Sequence, residues 1–209
     1  MRRRAPEIQA VLFDADGVLQ RMRPNWLSRL KQLCGDPDDV EAFLAAVFEA
    51  EQPCLSGAGD FETSLATVLK QWNSAATTSE AFSVLAMIDP DDSVFEVIRA
   101  LRANGTAVGL ATNQQQYRAG YMLNDLGYAS EFDHIFCSCH LGHAKPASEY
   151  FERALDTLGL PAENALFIDD HERNVNAAMG LGLHAHRYHL DEGVAVLENL
   201  LHSYGLTTG

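Results

Sequence analysis

Ala10-Val11-Leu12-Phe13-Asp14-Ala15-Asp16-Gly17 is the stretch on which the fold turns. Four consecutive apolar residues, without the alternation of a half-exposed strand, predict a strand buried on both faces. Two carboxylates and a turn glycine follow it, so polar groups sit at its C-terminal end. Strands of this kind belong to parallel sheets, whose ligands collect at the carboxyl edge. After this strand the pattern changes. Helical spacing predicts helices over 25–34, 37–51, 60–72 and 79–87, with no convincing strand between them. From Asp89-Pro90-Asp91-Asp92 onward, helix and strand alternate: strands are predicted at 107–111, 134–138, 165–168 and 184–188, and helices at 93–103, 115–126, 148–158, 175–179 and 194–202. Gly105, Gly127, Gly159 and Gly182 stand where these helices should stop. The reading is an α/β fold, a Rossmann-like parallel sheet with helices on both faces, formed by residues 1–17 plus 89–209. An all-helical insertion, 18–88, follows the first strand.

Composition bounds the function. A length of 209 residues and 47% apolar content give one large domain, or one domain with an insertion, able to bury a real core. Twenty-nine acidic against 15 basic side chains give a formal charge of −14, which argues against nucleic acid and against an anionic membrane surface as partners. An anionic substrate would need a local cation: one lysine, one arginine or a metal. Four cysteines are too few for a secreted disulfide framework, so a reducing compartment, the cytoplasm, is expected. No run approaches the 18 or more apolar residues of a spanning helix, and residues 1–9 are too short and polar for a signal peptide. Arg2, Arg3 and Arg4 read as a solvated tail. Oligomeric state is not legible.

Four strand ends carry polar groups: Asp14 with Asp16, Thr112 with Asn113, the loop holding Lys145, and Asp169 with Asp170. Parallel strands bring such ends to one edge, so residues far apart in sequence would meet in one cleft. These residue types suit phosphoryl transfer through a carboxylate nucleophile, with a second carboxylate handling protons. Asp14, Asp169 and Asp170 are hard oxygen ligands of the kind Mg²⁺ prefers. Lys145 and the Thr112 hydroxyl could meet phosphoryl oxygens. Cys137, Cys139, His140 and His143 admit a zinc reading, which their spacing does not favour. His184, His186 and His189 read as packing or solvent-facing groups.

The chain resembles phosphatases of the haloacid dehalogenase superfamily, with four motifs in order: Val11-Leu12-Phe13-Asp14-Ala15-Asp16-Gly17-Val18, Gly109-Leu110-Ala111-Thr112-Asn113, Gly142-His143-Ala144-Lys145-Pro146, and Phe167-Ile168-Asp169-Asp170. The resemblance implies that Asp14 is the phosphorylated nucleophile and Asp16 the general acid, then base, with its carbonyl on the metal. It implies that Thr112, Asn113 and Lys145 bind the phosphoryl group and that Asp169 and Asp170 complete a Mg²⁺ site, with Asp170 the direct ligand. An acid at Asp16 points to phosphatases or phosphomutases rather than dehalogenases. Asn174 stands where many relatives carry a further aspartate. The insertion resembles the family's helical cap, offering Arg21, Arg23, Asn25, Trp26 and Glu51-Gln52-Pro53 near its hinges to choose the substrate. The implied activity is Mg²⁺-dependent hydrolysis of a small phosphorylated metabolite through an aspartyl-phosphate. A phosphosugar mutase, or a silent relative acting as a binding protein, are the alternatives. A two-component receiver domain uses similar residues, but the order of the acidic pair and the length reject it.

Overall fold

The computed structural model describes residues 7–208, so the Arg2–Arg4 tail lies outside the described residues. The first strand, β1 (Ala10–Phe13), is wholly buried, as its unbroken apolar run requires. The chain then runs through β2 (Gln20–Met22), α1 (Trp26–Lys31), α2 (Val40–Glu51), α3 (Phe61–Gln71), α4 (Thr78–Leu85) and β3 (Ile88–Pro90). There follow α5 (Asp92–Ala103), β4 (Ala107–Thr112), α6 (Gln116–Gly120), α7 (Tyr128–Glu131), β5 (His134–Cys137), α8 (Ser138–Leu141) and α9 (Ser148–Leu158). The last elements are β6 (Ala165–Asp169), α10 (Glu172–Gly180), β7 (His184–Arg187) and α11 (Val194–Ser203).

Five strands form one parallel sheet in the order β5-β4-β1-β6-β7, with Ala10 level with Ala107 on one side and Ala165 on the other. Helices cover both faces. On one, Phe13, Phe95, Ile98, Leu101, Leu197 and Leu201 pack together. On the other, Leu12 and Phe167 meet Tyr150, Phe151 and Ala154 of α9, whose apolar side chains recur at helical spacing. Each such side chain, fully removed from water, contributes about 1.5–3 kcal/mol before entropy is counted. The central position of β1, between β4 and β6, sets Asp14, Thr112 and Asp169 side by side, since neighbouring strands lie about 4.8 Å apart.

Helices α1 to α4 enclose a separate apolar cluster of Leu30, Phe43, Val47, Phe61, Leu65 and Leu85. Thr77 and Glu80 form a capping box at the start of α4, and Asp60 caps α3 through the Thr63 N–H. Several boundaries differ from expectation. The helix predicted over 25–34 spans only Trp26–Lys31, and the one predicted from Pro37 begins with a 3₁₀ turn, Pro37–Asp39. The helix predicted over 115–126 ends at Gly120 and continues as a π-type turn to Asp125.

The main correction lies at the two ends of the insertion. Residues read as strandless contain β2 and β3, which pair antiparallel with Gln20 opposite Pro90 and Met22 opposite Ile88. Three residues are too few to show a period, and Pro90 stands at a ribbon edge where it needs no partner. The ribbon joins the helical cluster to the sheet. Asp91, directly after it, caps α5 through Ser93 and Val94 and faces Arg21 at 3.6 Å.

Candidate active site at the carboxyl edge of the sheet

Asp14 follows β1 and is 7% exposed. Its Oδ1 lies 2.9 Å from the Lys145 ammonium, which also donates to Asp169 Oδ2 at 2.6 Å and to the Ala111 carbonyl at 2.7 Å. A lysine has three N–H donors, and here all three are used. Burial would push Lys145 down, but the charges of Asp14 and Asp169 outweigh it and raise it. Burial pushes the Asp14 carboxyl up, Lys145 pulls it back and Asp169 raises it again, leaving it at about 6. One buried cation shared by two buried carboxylates does not neutralise both.

Asp169 is saturated. Its oxygens accept from the His171 N–H, from Lys145 and from the Asn174 side-chain amide at 3.0–3.1 Å. The asparagine at 174 therefore orients Asp169. Asp170 is less engaged: Oδ1 faces His171 Nδ1 at 2.6 Å, while Oδ2 lies so close over Gly17 that a Cβ there would approach it to 2.7 Å. Gly17 also has φ +79°, so both its space and its backbone require glycine. Ligand atoms of Asp169, Asp170 and His171 lie within 4.8 Å of one another. Of the two carboxylates, Asp170 has an oxygen to offer as the kind of hard donor that suits Mg²⁺, while Asp169 has none to spare.

The loops after β4 and β5 are tied together. The Asn113 amide donates to the Lys145 carbonyl and accepts from the Lys145 N–H, both at 2.8 Å. Its side chain is thus consumed, which leaves its backbone N–H as the group it can present to an anion. The Thr112 hydroxyl, in a residue 1% exposed, has no hydrogen-bond partner among the described residues.

Asp16 lies beyond the end of β1, in the turn before β2, so the two-residue alternation of a strand does not govern its direction. Its carboxylate is gripped by Arg118 in a bidentate pair of 2.5 and 2.7 Å and by Gln114 at 2.7 Å and Gln20 at 2.9 Å. Gln20 is itself held by the Tyr128 hydroxyl at 2.7 Å. Burial alone would raise the Asp16 carboxyl; the Arg118 charge and these hydrogen bonds overcome that and hold it below the usual range. Arg118, Gln114 and Gln20 were not anticipated from sequence. Gln114 lies in the loop after β4 and Arg118 within α6, both just past a site strand.

Of the residues expected to choose a substrate, Arg21, Trp26 and Glu51 line a cavity of about 520 Å³ with Asp16 and Asp170. Arg23 lines a different cavity, beside Phe82 and Tyr117. Asn25 makes no side-chain cap for α1. His186 bonds the Tyr204 hydroxyl at 2.6 Å, and His189 accepts the Asp191 N–H. Cys137 is buried, its thiol pushed up to about 12 by burial, and the four cysteines are free.

The family model for haloacid dehalogenase-like hydrolases matches residues 8–182, a span that holds Asp14, Thr112, Lys145, Asp169 and Asp170. The chain belongs to that family. It is 26% identical over 200 residues to a phosphorylated carbohydrates phosphatase of Thermotoga maritima, covering 91% of each chain. It is 28% identical over 185 residues to a phosphoglycolate phosphatase of Rhodospirillum rubrum, covering 84% of this chain and 77% of that one. A HAD-like hydrolase of Porphyromonas gingivalis superposes with a TM-score of 0.78 at 24% identity, over 93% of this chain and 98% of that one. A HAD family enzyme of Bacteroides thetaiotaomicron, solved with magnesium and inorganic phosphate, superposes with a TM-score of 0.78 at 18% identity, over 91% of this chain and 98% of that one. The likeness to both structures is one of fold. Among the described residues no helix is long and apolar enough to cross a membrane.

Proposed function

We propose that this hydrolase is a Mg²⁺-dependent phosphatase of small phosphomonoesters that works through a phosphorylated Asp14. The observation that carries the reading is the placement of the Asp14 carboxylate at the end of the central strand, 2.9 Å from the Lys145 ammonium, with Thr112 at the end of the neighbouring strand β4. Relatives across most of the chain are named as phosphatases, and a protein of the same fold binds magnesium and inorganic phosphate. Asp14 and Asp170 would hold the ion, which offsets charge between the carboxylates and the phosphoryl oxygens when bound.

An Asp14 oxygen attacks phosphorus, the bond from phosphorus to the leaving oxygen breaks, and Asp16 gives that oxygen its proton. In the second half, Asp16 takes a proton from water as the water oxygen attacks phosphorus. The Asp14–phosphorus bond breaks, releasing inorganic phosphate. The Thr112 hydroxyl and the Asn113 N–H are the donors for the equatorial oxygens. Lys145, with its three protons placed, orients Asp14 and Asp169. In the state described here Asp16 is paired with Arg118 and therefore ionised, the form the second half needs. To act as the acid it must take up a proton, which the Arg118 charge and the hydrogen bonds to its carboxylate oppose. Residues 18–88 act as the cap: they contribute the wall of the cavity and none of the groups that touch phosphorus.

Release of inorganic phosphate from an aryl phosphate, with Mg²⁺ and after exhaustive chelation, tests the reading. Turnover should require the ion and return on adding it back. Turnover that survives chelation, or that only zinc supports, overturns the metal assignment.

A further inference from the structure

The cavity beyond the phosphoryl end has an uneven lining. Its cap wall is apolar, built from Trp26 and Phe48, whose rings meet edge to face at 6.4 Å, and from Leu55. Phe48 is 37% exposed, so this apolar surface is uncovered. At the end of α2, in the same wall, stands Glu51. It makes no hydrogen bond or ion pair among the described residues, and burial holds its carboxyl above the usual range with Arg118 pulling it back. A half-buried carboxylate without a donor gains from meeting one.

The cavity's arginines are both already committed. Arg118 is locked on Asp16, and Arg21 faces Asp191 at 3.3 Å and Asp91 at 3.6 Å. His171 faces Asp170. A second anionic group on a substrate would therefore meet Glu51 and find no uncommitted arginine or lysine in the cavity lining, and repulsion between like charges grows steeply as water is excluded.

Resting on the phosphatase reading, we infer that the substrate is the phosphomonoester of an uncharged or cationic alcohol, its apolar face lying on Trp26 and Phe48 and its hydroxyl or ammonium donor meeting Glu51, and that esters carrying a second anion are discriminated against. Trp26, Phe48 and Glu51 are thus specificity-determining residues.

The test is a series of equal shape: 4-(hydroxymethyl)benzyl, 4-(aminomethyl)benzyl and 4-carboxybenzyl phosphates, compared by kcat/KM in the full chain with Mg²⁺. The first two should exceed the carboxylate by at least tenfold. In Glu51→Gln the ratio of amine to carboxylate should fall to within threefold, and in Glu51→Lys it should invert. A carboxylate ester hydrolysed as well as the amine by the wild type, or a ratio that Glu51→Gln does not move, overturns the inference. Calorimetric binding of the matching benzylphosphonates separates the two layers of argument. The same order of affinity without turnover of any ester would sink the phosphatase reading and keep the subsite. Turnover with no order in either readout would do the reverse.

Discussion

Replacing Lys145 by methionine removes one ammonium and leaves the shape of its stem. Its three hydrogen bonds, to Asp14, Asp169 and the Ala111 carbonyl, span 2.6–2.9 Å, and the Lys145 and Asp169 side chains are 1% and 0% exposed. Breaking a buried pair by removing one partner costs about 3–5 kcal/mol, because the remaining charge stays buried. Asp169 keeps its bonds from His171 and Asn174, which softens the loss, whereas Asp14 loses the one cation paired with it among the described residues. At about 2–4 °C per kcal/mol for a chain of this size, the metal-free variant should melt roughly 6–20 °C below the wild type at pH 8. The deficit must also depend on pH. Without Lys145 the Asp14 carboxyl, already raised by burial, loses the charge that pulls it back, so the penalty is full above its folded pKa and fades as pH falls and it takes a proton. Scanning calorimetry in EDTA from pH 5 to pH 8 reads both effects. A double variant that adds Asp14→Asn should recover about half of the loss, since one of the two stranded charges is gone. A drop of less than about 3 °C at pH 8, or one equal at pH 5 and pH 8, would refute the claim that Lys145 acts by balancing two buried carboxylates.

Asp14→Asn should abolish turnover and stabilise the metal-free fold at pH 8: a carboxyl raised from 3.8 to about 6 costs about 3 kcal/mol when ionised. That gain should be present above pH 6 and vanish below pH 4, as calorimetry would show. Asp16→Asn should cost an alkyl phosphate about 10²- to 10⁴-fold in kcat/KM and an aryl phosphate, with its acidic phenol, far less; equal losses on both would remove Asp16 from proton transfer.

What the sequence made legible follows from how a buried parallel strand is written. Ala10–Phe13 must be apolar throughout, and the first polar residue after it marks the sheet edge; the same holds for Thr112 and Asp169. The site residues on β1, β4 and β6 could therefore be named from their place at strand ends. The two-stranded ribbon could not, because Gln20 is buried by its hydrogen bonds to Asp16 and Tyr128 rather than by apolar character. Nor could the use of Asn113 as a tie to the Lys145 backbone, since an asparagine after a strand looks the same whether its amide faces a ligand or a neighbouring loop. Arg118 was hidden for a related reason: its partner Asp16 is 102 residues away, and no local pattern records a pairing across that distance.

These pairings decide the electrostatics. A chain with a formal charge of −14 has no general positive field to draw a phosphate in, so the charge must be managed locally. The two local cations at the reacting end, Lys145 and Arg118, are both spent on carboxylates of the site itself: Lys145 between Asp14 and Asp169, Arg118 on Asp16. Four carboxylates, Asp14, Asp16, Asp169 and Asp170, against two such cations leave the site two charges negative before a substrate dianion approaches. His171, 71% exposed and paired with Asp170, offsets little of this. A phosphate dianion brought against that balance is repelled by about 1 kcal/mol per pair at 4 Å in water and about 4 where the site is half dry. A dication held at this acidic edge would cancel the two excess charges, which is why the proposed phosphatase chemistry is expected to need the metal when Lys145 and Arg118 are already spent.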